Sequence, residues 1–409
     1  MKPFIFITAI TFLLCSCFNS NEKRQLKFSH AEIASLKLDS TKNIRSIADS
    51  IKTFNLNPLL GDRGFDFGGT IKSIKFVPLE TTDESLISEI GQIIITDSNI
   101  YIRTDHILNN VLIFDKSGKY IKQIQKGQGP EEILDLKGIA YDNNQEELIV
   151  YHNKFLSFFT KDGKFKKKEK IPLNAHGFTL IPDGYLFQAG IGFDNRHLGY
   201  SDEYQIFITD KSFRLVSKGF PHHFSKENNH GADNMSTNTN PINIDFVFID
   251  TIYQFIDNYT MKAKYFFDIS SKKIPEKILL TASHDDLQKA MEQNDYSYYT
   301  GKFEETDTHI HIAYWNIFIG YRSIFFIDKK TKNIIGGTGM LYQSKDFPVL
   351  SPPIAAKGSY FISRLQPHDI IPRLVQLNNP MISKEDFVKL KALKEDDNPV
   401  LIFYELKSF

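Results

Sequence analysis

Beyond residue 70 the chain alternates short apolar runs with compact polar turns, and the pattern repeats. "VLIFDKSGKYIKQI" (111–124) and "LSFFTKDGKFKKKEKI" (156–171) superpose as an apolar strand, an Asp or Thr, a Lys, a Gly turn and a second strand. From Phe114 to Phe159 the register returns after 45 residues. Glycine accepts the positive φ of a tight turn between antiparallel strands, so each unit predicts a hairpin. Weaker copies follow as "QIFITDKSFRLVSKGF" (205–220), "KYFFDISSKKIPEKI" (264–278) and "SIFFIDKKTKNIIGG" (323–337). A last strand, "NPVLIFYELK" (398–407), stands where a further outer strand is expected.

Another strand pair precedes each of the first three hairpins, turning at Asp97-Ser98-Asn99, Asp142-Asn143-Asn144 and Pro182-Asp183-Gly184. Four strands per unit and about 40–60 residues per period predict an all-β, six-bladed propeller with four-stranded blades. A propeller ring must close, because an unpaired edge is a template for aggregation. The strand near Ile71 to Leu79 precedes the first full unit, so it is expected to join the C-terminal strands in a mixed last blade.

"QKGQGPEE" (125–132) lies between the outer strand of one unit and the inner strand of the next, which makes it a blade-to-blade crossing. A phosphate loop requires a strand, a glycine-rich turn and a helix, and that pattern is missing here. "PHHFSKENNHGADNMSTNTNPIN" (221–243) reads as a polar excursion, and "SHDDLQKAMEQND" (283–295) as an inserted helix with Ser283 and Asp286 in a capping box.

The first residues, "MKPFIFITAITFLLCSCFNSNEKR", carry Lys2, an apolar run from Phe4 to Leu14, and small residues before a polar stretch. This is the layout of an export signal. Its end, Leu14-Cys15-Ser16-Cys17, resembles the bacterial lipobox, which implies cleavage before Cys17 and lipid on that thiol. Residues 1–16 are then a signal peptide, 17–69 a polar tether, and 70–409 the propeller. Within the tether, Ile33, Leu36, Ile44, Ile47 and Ile51 recur at near-helical spacing, so a short helix is expected there. The two cysteines, Cys15 and Cys17, are both accounted for by this processing, which leaves no thiol for a disulfide.

The segments "FVPLETT", "IGQIII", "FDKSGKYIKQIQKGQGPEEILDLKGIAYD" and "DNPVLIFYELK" resemble the six-bladed β-propeller lipoproteins of Bacteroides-type bacteria, shaped like NHL-repeat propellers. The resemblance implies an outer-membrane lipoprotein, and only Glu22 is acidic in the stretch after Cys17, which favours the periplasmic side. It implies no particular activity.

Composition narrows the chemistry. Forty-nine basic residues balance 49 acidic ones, so no overall field selects nucleic acid. No HExxH motif and no G-x-S-x-G elbow is present. His222, His223 and His230, with Glu227 and Asp233, could form a metal shell by residue type, but they fall in the polar excursion. His309 and His311 are two apart on a strand, so they share a face and could turn two imidazoles toward the axis as metal ligands. Of the acid pairs Glu131-Glu132, Asp285-Asp286, Glu304-Glu305 and Asp396-Asp397, most read as solvated turn or helix-end residues. Arg196, His197, Tyr314, Trp315, Arg322 and Arg364 are the candidate ligand-binding residues, and Tyr296, Tyr298 and Tyr299 are rings able to stack on a sugar or wedge between blades.

The sequence therefore predicts a recognition module without a catalytic residue or resident cofactor. Its expected partners are a membrane, through the lipid, and an envelope protein, peptide or glycan. The alternative is a metal-dependent sugar lactonase- or lyase-like enzyme working in the propeller channel.

Overall fold

A computed structural model describes residues 28–61, 64–105, 108–129, 131–189, 193–221, 242–341, 350–374 and 381–409. Its sheets form a six-bladed β-propeller. Blade one comprises Ile90–Ile95, Asn99–Thr104, Val111–Asp115 and Tyr120–Ile124, and blade two Leu136–Asp142, Glu147–His152, Phe155–Thr160 and Phe165–Lys170. Blade three uses Gly177–Ile181, Gly184–Gln188, Tyr204–Asp210 and Leu215–Pro221, and blade five Tyr298–Glu305, His309–Asn316, Tyr321–Asp328 and Ile334–Gly337.

The hairpins form where the turn chemistry places them. In blade one, Asp115 Oδ1 accepts from the backbone N–H of Ser117 (2.8 Å) and Lys119 (3.0 Å), and Gly118 takes a φ of 92°. The side chain thus stands in for a backbone acceptor while glycine supplies the left-handed step. One edge of the ring carries the hairpins between first and second and between third and fourth strands. We call it the hairpin face. The opposite edge, the crossing face, carries the blade-to-blade crossings and the loops between second and third strands.

Blade six closes the ring as expected. Ala355–Lys357, Tyr360–Leu365 and Val400–Leu406 are joined by Ile71–Pro78, which pairs antiparallel with Val400–Leu406. The C-terminal strand is therefore third in its blade, not outermost as its position in the chain suggested.

Blade four corrects another expectation. Asn243–Ile244, Thr251–Asp257 and Thr260–Asp268 form three strands, but "KYFFDISSKKIPEKI" is no hairpin. After Asp268 the chain turns through Ser270–Lys272, and Pro275 caps the helix Glu276–Thr281. Proline lacks an N–H and fixes φ, so it suits a helix start and not a ladder. The inserted helix His284–Gln293 follows, with Ser283 accepting from the N–H of Asp286 as its cap.

Beyond Thr260–Asp268, the outer edge of blade four is covered by strands from the N-terminus. Residues read as a tether form, from Phe28 onward, a strap along the outer wall of the ring. The helix His30–Ser35 ends early, and the chain then continues as edge strands. Lys42–Asn43 runs parallel to blade three, and Arg45–Ile47 and Lys52–Asn55 run parallel to Thr260–Asp268. Phe65–Asp66 pairs with Met340–Leu341 beyond blade five. The near-helical spacing of Ile44, Ile47 and Ile51 was fortuitous, because these short edge segments bury a residue only now and then.

Buried side chains nail the strap down. Leu36 joins the core between blades two and three, and Phe54, Leu56 and Leu60 join that between blades four and five. Phe67 fills the core between blades five and six, 4.7 Å ring to ring from Phe326. At about 25 cal/mol per Å² of apolar surface, each fully buried Leu or Phe contributes on the order of 2–3 kcal/mol.

Candidate functional site

The inner strands of blades one, two, three, five and six, Ile90–Ile95, Leu136–Asp142, Gly177–Ile181, Tyr298–Glu305 and Ala355–Lys357, begin at the crossing face. Polar side chains from several blades gather at that mouth of the axis. Arg103 ends the second strand of blade one, with Nη1 donating to Lys137 O of blade two (3.2 Å) and Nη2 beside Asp105 Oδ1 (3.3 Å). Asp105 rests on Gly91, where any Cβ would lie 2.1 Å from its carboxylate oxygens, so the glycine makes room for the acid. Lys137 Nζ pairs with Asp135 Oδ1 (2.8 Å) and lies 5.9 Å from the Phe193 ring centre. His176 of blade three approaches the same ring at 5.8 Å, and Arg364 of blade six pairs with Glu89 Oε1 (3.8 Å). Beneath them Gln92 bonds both backbone groups of Ile139, each at 2.9 Å, and so locks blade one to blade two.

Toward blades four and five the polar line continues. Asp245 is buried and accepts from the Tyr299 hydroxyl, while its backbone carbonyl accepts from Gln188 Nε2 of blade three (3.1 Å). Burial pushes the Asp245 carboxyl up to about 7, against the opposing pull of Tyr299. Glu304 keeps partial solvent contact, yet the surrounding protein pushes it up to about 8; Lys302 opposes that rise and the charge of Asp245 adds to it. Both carboxyls are thus raised toward neutrality. Their neighbour Glu305 does the reverse on the other side of the strand. Lys264 (2.7 Å), Lys329 (2.8 Å), the Tyr265 hydroxyl (2.8 Å) and Asn243 Nδ2 (2.9 Å) all converge on it. Burial raises Glu305, but the two ammonium groups outweigh it and the net shift is downward, while burial disfavours the charge on Lys264. The reading of Glu304-Glu305 as a solvated pair is thus corrected.

The predicted candidates fall into separate places. His309 and His311 do share a face, but it packs toward blade six and not the axis. His311 is buried against Phe326 (5.1 Å) and Phe361 (6.4 Å), and burial pushes its imidazole down to about 3. His309 meets Thr308 Oγ1 (2.8 Å) and lies 3.9 Å from Asp328. Among the described residues no three His, Cys, Asp or Glu come together as a metal shell requires. The excursion histidines His222, His223 and His230, with Glu227 and Asp233, lie outside the described residues, as does Cys17.

Tyr314 is buried in the core between blades four and five, and burial, then the charge of Asp250, holds its hydroxyl well above the ordinary tyrosine range. It is a wedge and cannot serve as a ligand platform. Tyr299 packs in the same core, and Tyr298 stacks on Phe248 at 4.7 Å. Trp315 and Arg322 are cross-strand partners, with the guanidinium 5.7 Å from the ring centre. Arg196 is held in a two-point pair by Asp194, and His197 Nε2 lies 2.8 Å from Pro172 O. Of these candidates, Arg364 has a described contact within the mouth cluster. Arg103, Lys137, Lys302 and Asp245 were missed, although a charge inside an otherwise apolar strand, as in "YIRTD" and "DLKGIAYD", was the available signal.

The opposite end of the axis has its own opening of 510 Å³, bordered by Thr96, Asp97, Tyr141, Asn143, Glu146 and Lys357. Lys357 and Asp97 pair across it at 2.9 Å.

Residues 53–405 match a domain family of unknown function, DUF4934. The chain belongs to this family. The match begins inside the strap, so the DUF4934 unit includes edge strands as well as blades. Among solved structures, the chain is similar to a protein of Bacteroides fragilis NCTC 9343 whose name calls it an exported protein. The identity is 20%, the TM-score 0.69, and the alignment covers 88% of this chain and all of the other. BamB from Moraxella catarrhalis aligns at 11% identity over 72% of this chain and 85% of its own, with a TM-score of 0.37. No curated protein matches the chain. Among the described residues, no helix is long and apolar enough to cross a membrane.

Proposed function

We propose that this DUF4934 propeller is a ligand-binding module of the bacterial envelope, held by lipid on Cys17 at the periplasmic side of the outer membrane and shaped like NHL propellers. The export signal, the lipobox-like Leu14-Cys15-Ser16-Cys17 and the exported name of the Bacteroides fragilis relative support the location. The observation that carries the binding reading is the crossing-face mouth. Arg103, Lys137 and Arg364 come from three blades, each beside an acidic partner that fixes it in place. Guanidinium groups pre-positioned in this way suit a carboxylate or phosphate, and the Phe193 ring offers an apolar surface beside them. The ligand is accordingly a peptide or glycan bearing an anionic group.

The test is a thermal-shift panel of sugar acids, neutral oligosaccharides and peptides with free or amidated C-termini. Stabilisation by the anionic members, lost in Arg103→Ala and in Arg364→Ala, is expected. Stabilisation that survives both substitutions, or that neutral sugars produce equally, refutes the site.

One observation favours the enzymatic alternative. Burial raises the carboxyls of Asp245 and Glu304 toward neutrality beside Lys302, the direction a general acid requires. A lactonase or lyase activity abolished by both Asp245→Asn and Glu304→Gln would replace the binding account.

A further inference from the structure

The start of the strap is tied to one edge of the ring. The Phe28 ring lies 4.3 Å from Lys154 Nζ, 5.9 Å from Lys170 Nζ and 4.7 Å from the His197 ring. Lys154 sits in the loop between the second and third strands of blade two, and His197 in the equivalent loop of blade three. Pro172, whose carbonyl lies 2.8 Å from His197 Nε2, belongs to the crossing between those blades. All of these are crossing-face positions. Just beyond, Ser29 and Glu32 form a capping box and Glu32 also pairs with Lys170, which fixes the first turn of the helix against blade two. The strap then runs to the hairpin side, where Leu36 O accepts from Leu215 N (2.8 Å) at the start of blade three's outer strand.

We propose that the crossing face, with its Arg103, Lys137 and Arg364 mouth, is the side turned toward the bilayer. The inference rests on the lipid-anchor reading of Cys17 and adds a direction to it. Position 28 is eleven residues beyond position 17, which allows at most about 38 Å when fully stretched and about 18 Å as a relaxed coil. Strands of five to seven residues separate the two faces by roughly 20 Å before loops are added. To lay the hairpin face on the membrane, the leader would have to run back down the outer wall and stretch beyond its relaxed length. A relaxed leader leaves the crossing face nearest the lipid. Whatever enters the mouth is then met from the membrane side, and the hairpin-face opening at Asp97 and Lys357 looks away.

The test uses the full chain, lipidated in cells and reconstituted in phosphatidylcholine vesicles that carry a headgroup acceptor dye. Processing consumes both native cysteines, so a donor dye can be placed through Glu131→Cys on the crossing face or Asp183→Cys on the hairpin face. Energy transfer severalfold higher at 131 than at 183 is expected, and Phe28→Ala with Glu32→Gln should narrow the difference. Equal or reversed transfer in chains whose N-terminal peptide carries lipid by mass spectrometry overturns the orientation alone. An N-terminal peptide without lipid overturns the anchor and the orientation together.

Discussion

Leu36→Ala and Leu56→Ala ask whether the strap belongs to the folded unit. Each leucine is fully buried, and they sit in different cores, one between blades two and three and the other between blades four and five. Truncating a buried leucine costs about 2.7–5 kcal/mol, because transfer energy is lost and the cavity closes only in part. Separated sites without shared partners add, so the double variant should lose on the order of 6 kcal/mol. Urea unfolding followed by tryptophan emission is a suitable assay, since the single Trp315 reports on blade five. The expected result is one transition whose midpoint falls in each single variant and falls further in the double variant. Midpoints that stay within error, with new proteolytic cleavage between residues 42 and 55, would refute the reasoning: the strap would then peel away without the ring noticing.

Two further predictions concern buried charge. Glu305→Gln leaves Lys264 and Lys329 facing a neutral amide, and a loss on the order of 3 kcal/mol is expected in the same assay. Because the folded-state carboxyl of Glu305 is held below its ordinary value, its contribution is present above the unfolded pKa and fades as pH falls through the folded one. The variant should therefore lose part of the wild-type decline in acid. Asp245 has the opposite sign. Its carboxyl is raised to about 7, so the folded state keeps a proton that the unfolded chain releases near 4, and stability drains away as pH climbs between the two. Asp245→Asn should flatten that slope and gain a few kcal/mol, roughly, at pH 8; an unchanged pH profile would show that Asp245 is solvated.

The ring was legible because its signals are local. Asp115 bonding the N–H groups of Ser117 and Lys119 is chemistry carried within five residues, and the same turn recurs at Asp210 with Ser212 and Arg214. The strap was not legible. An edge strand shows solvent most of its side chains, so Lys52–Asn55 buries Phe54 alone and offers no alternation to read. His309 and His311 show a second limit. Parity along a strand gives a shared face, but what that face meets depends on partners far away in the chain. Charges such as Arg103 and Lys137 were visible as exceptions in apolar strands, although nothing local tells which of them converge.

The pairing of Ile71–Pro78 with Val400–Leu406 bears on how the molecule is made. A strand synthesised early must wait for one completed more than three hundred residues later, and the strap must wait for blades three, four and five. Contacts so distant in sequence make folding slow, with loop closure preceding most of its reward. During synthesis the early segments emerge with their edges bare, the condition in which chains associate with one another. A chain stopped short of residue 400 would leave the ring open and Ile71–Pro78 unpartnered, so the last few residues decide whether all the earlier ones reach a finished state.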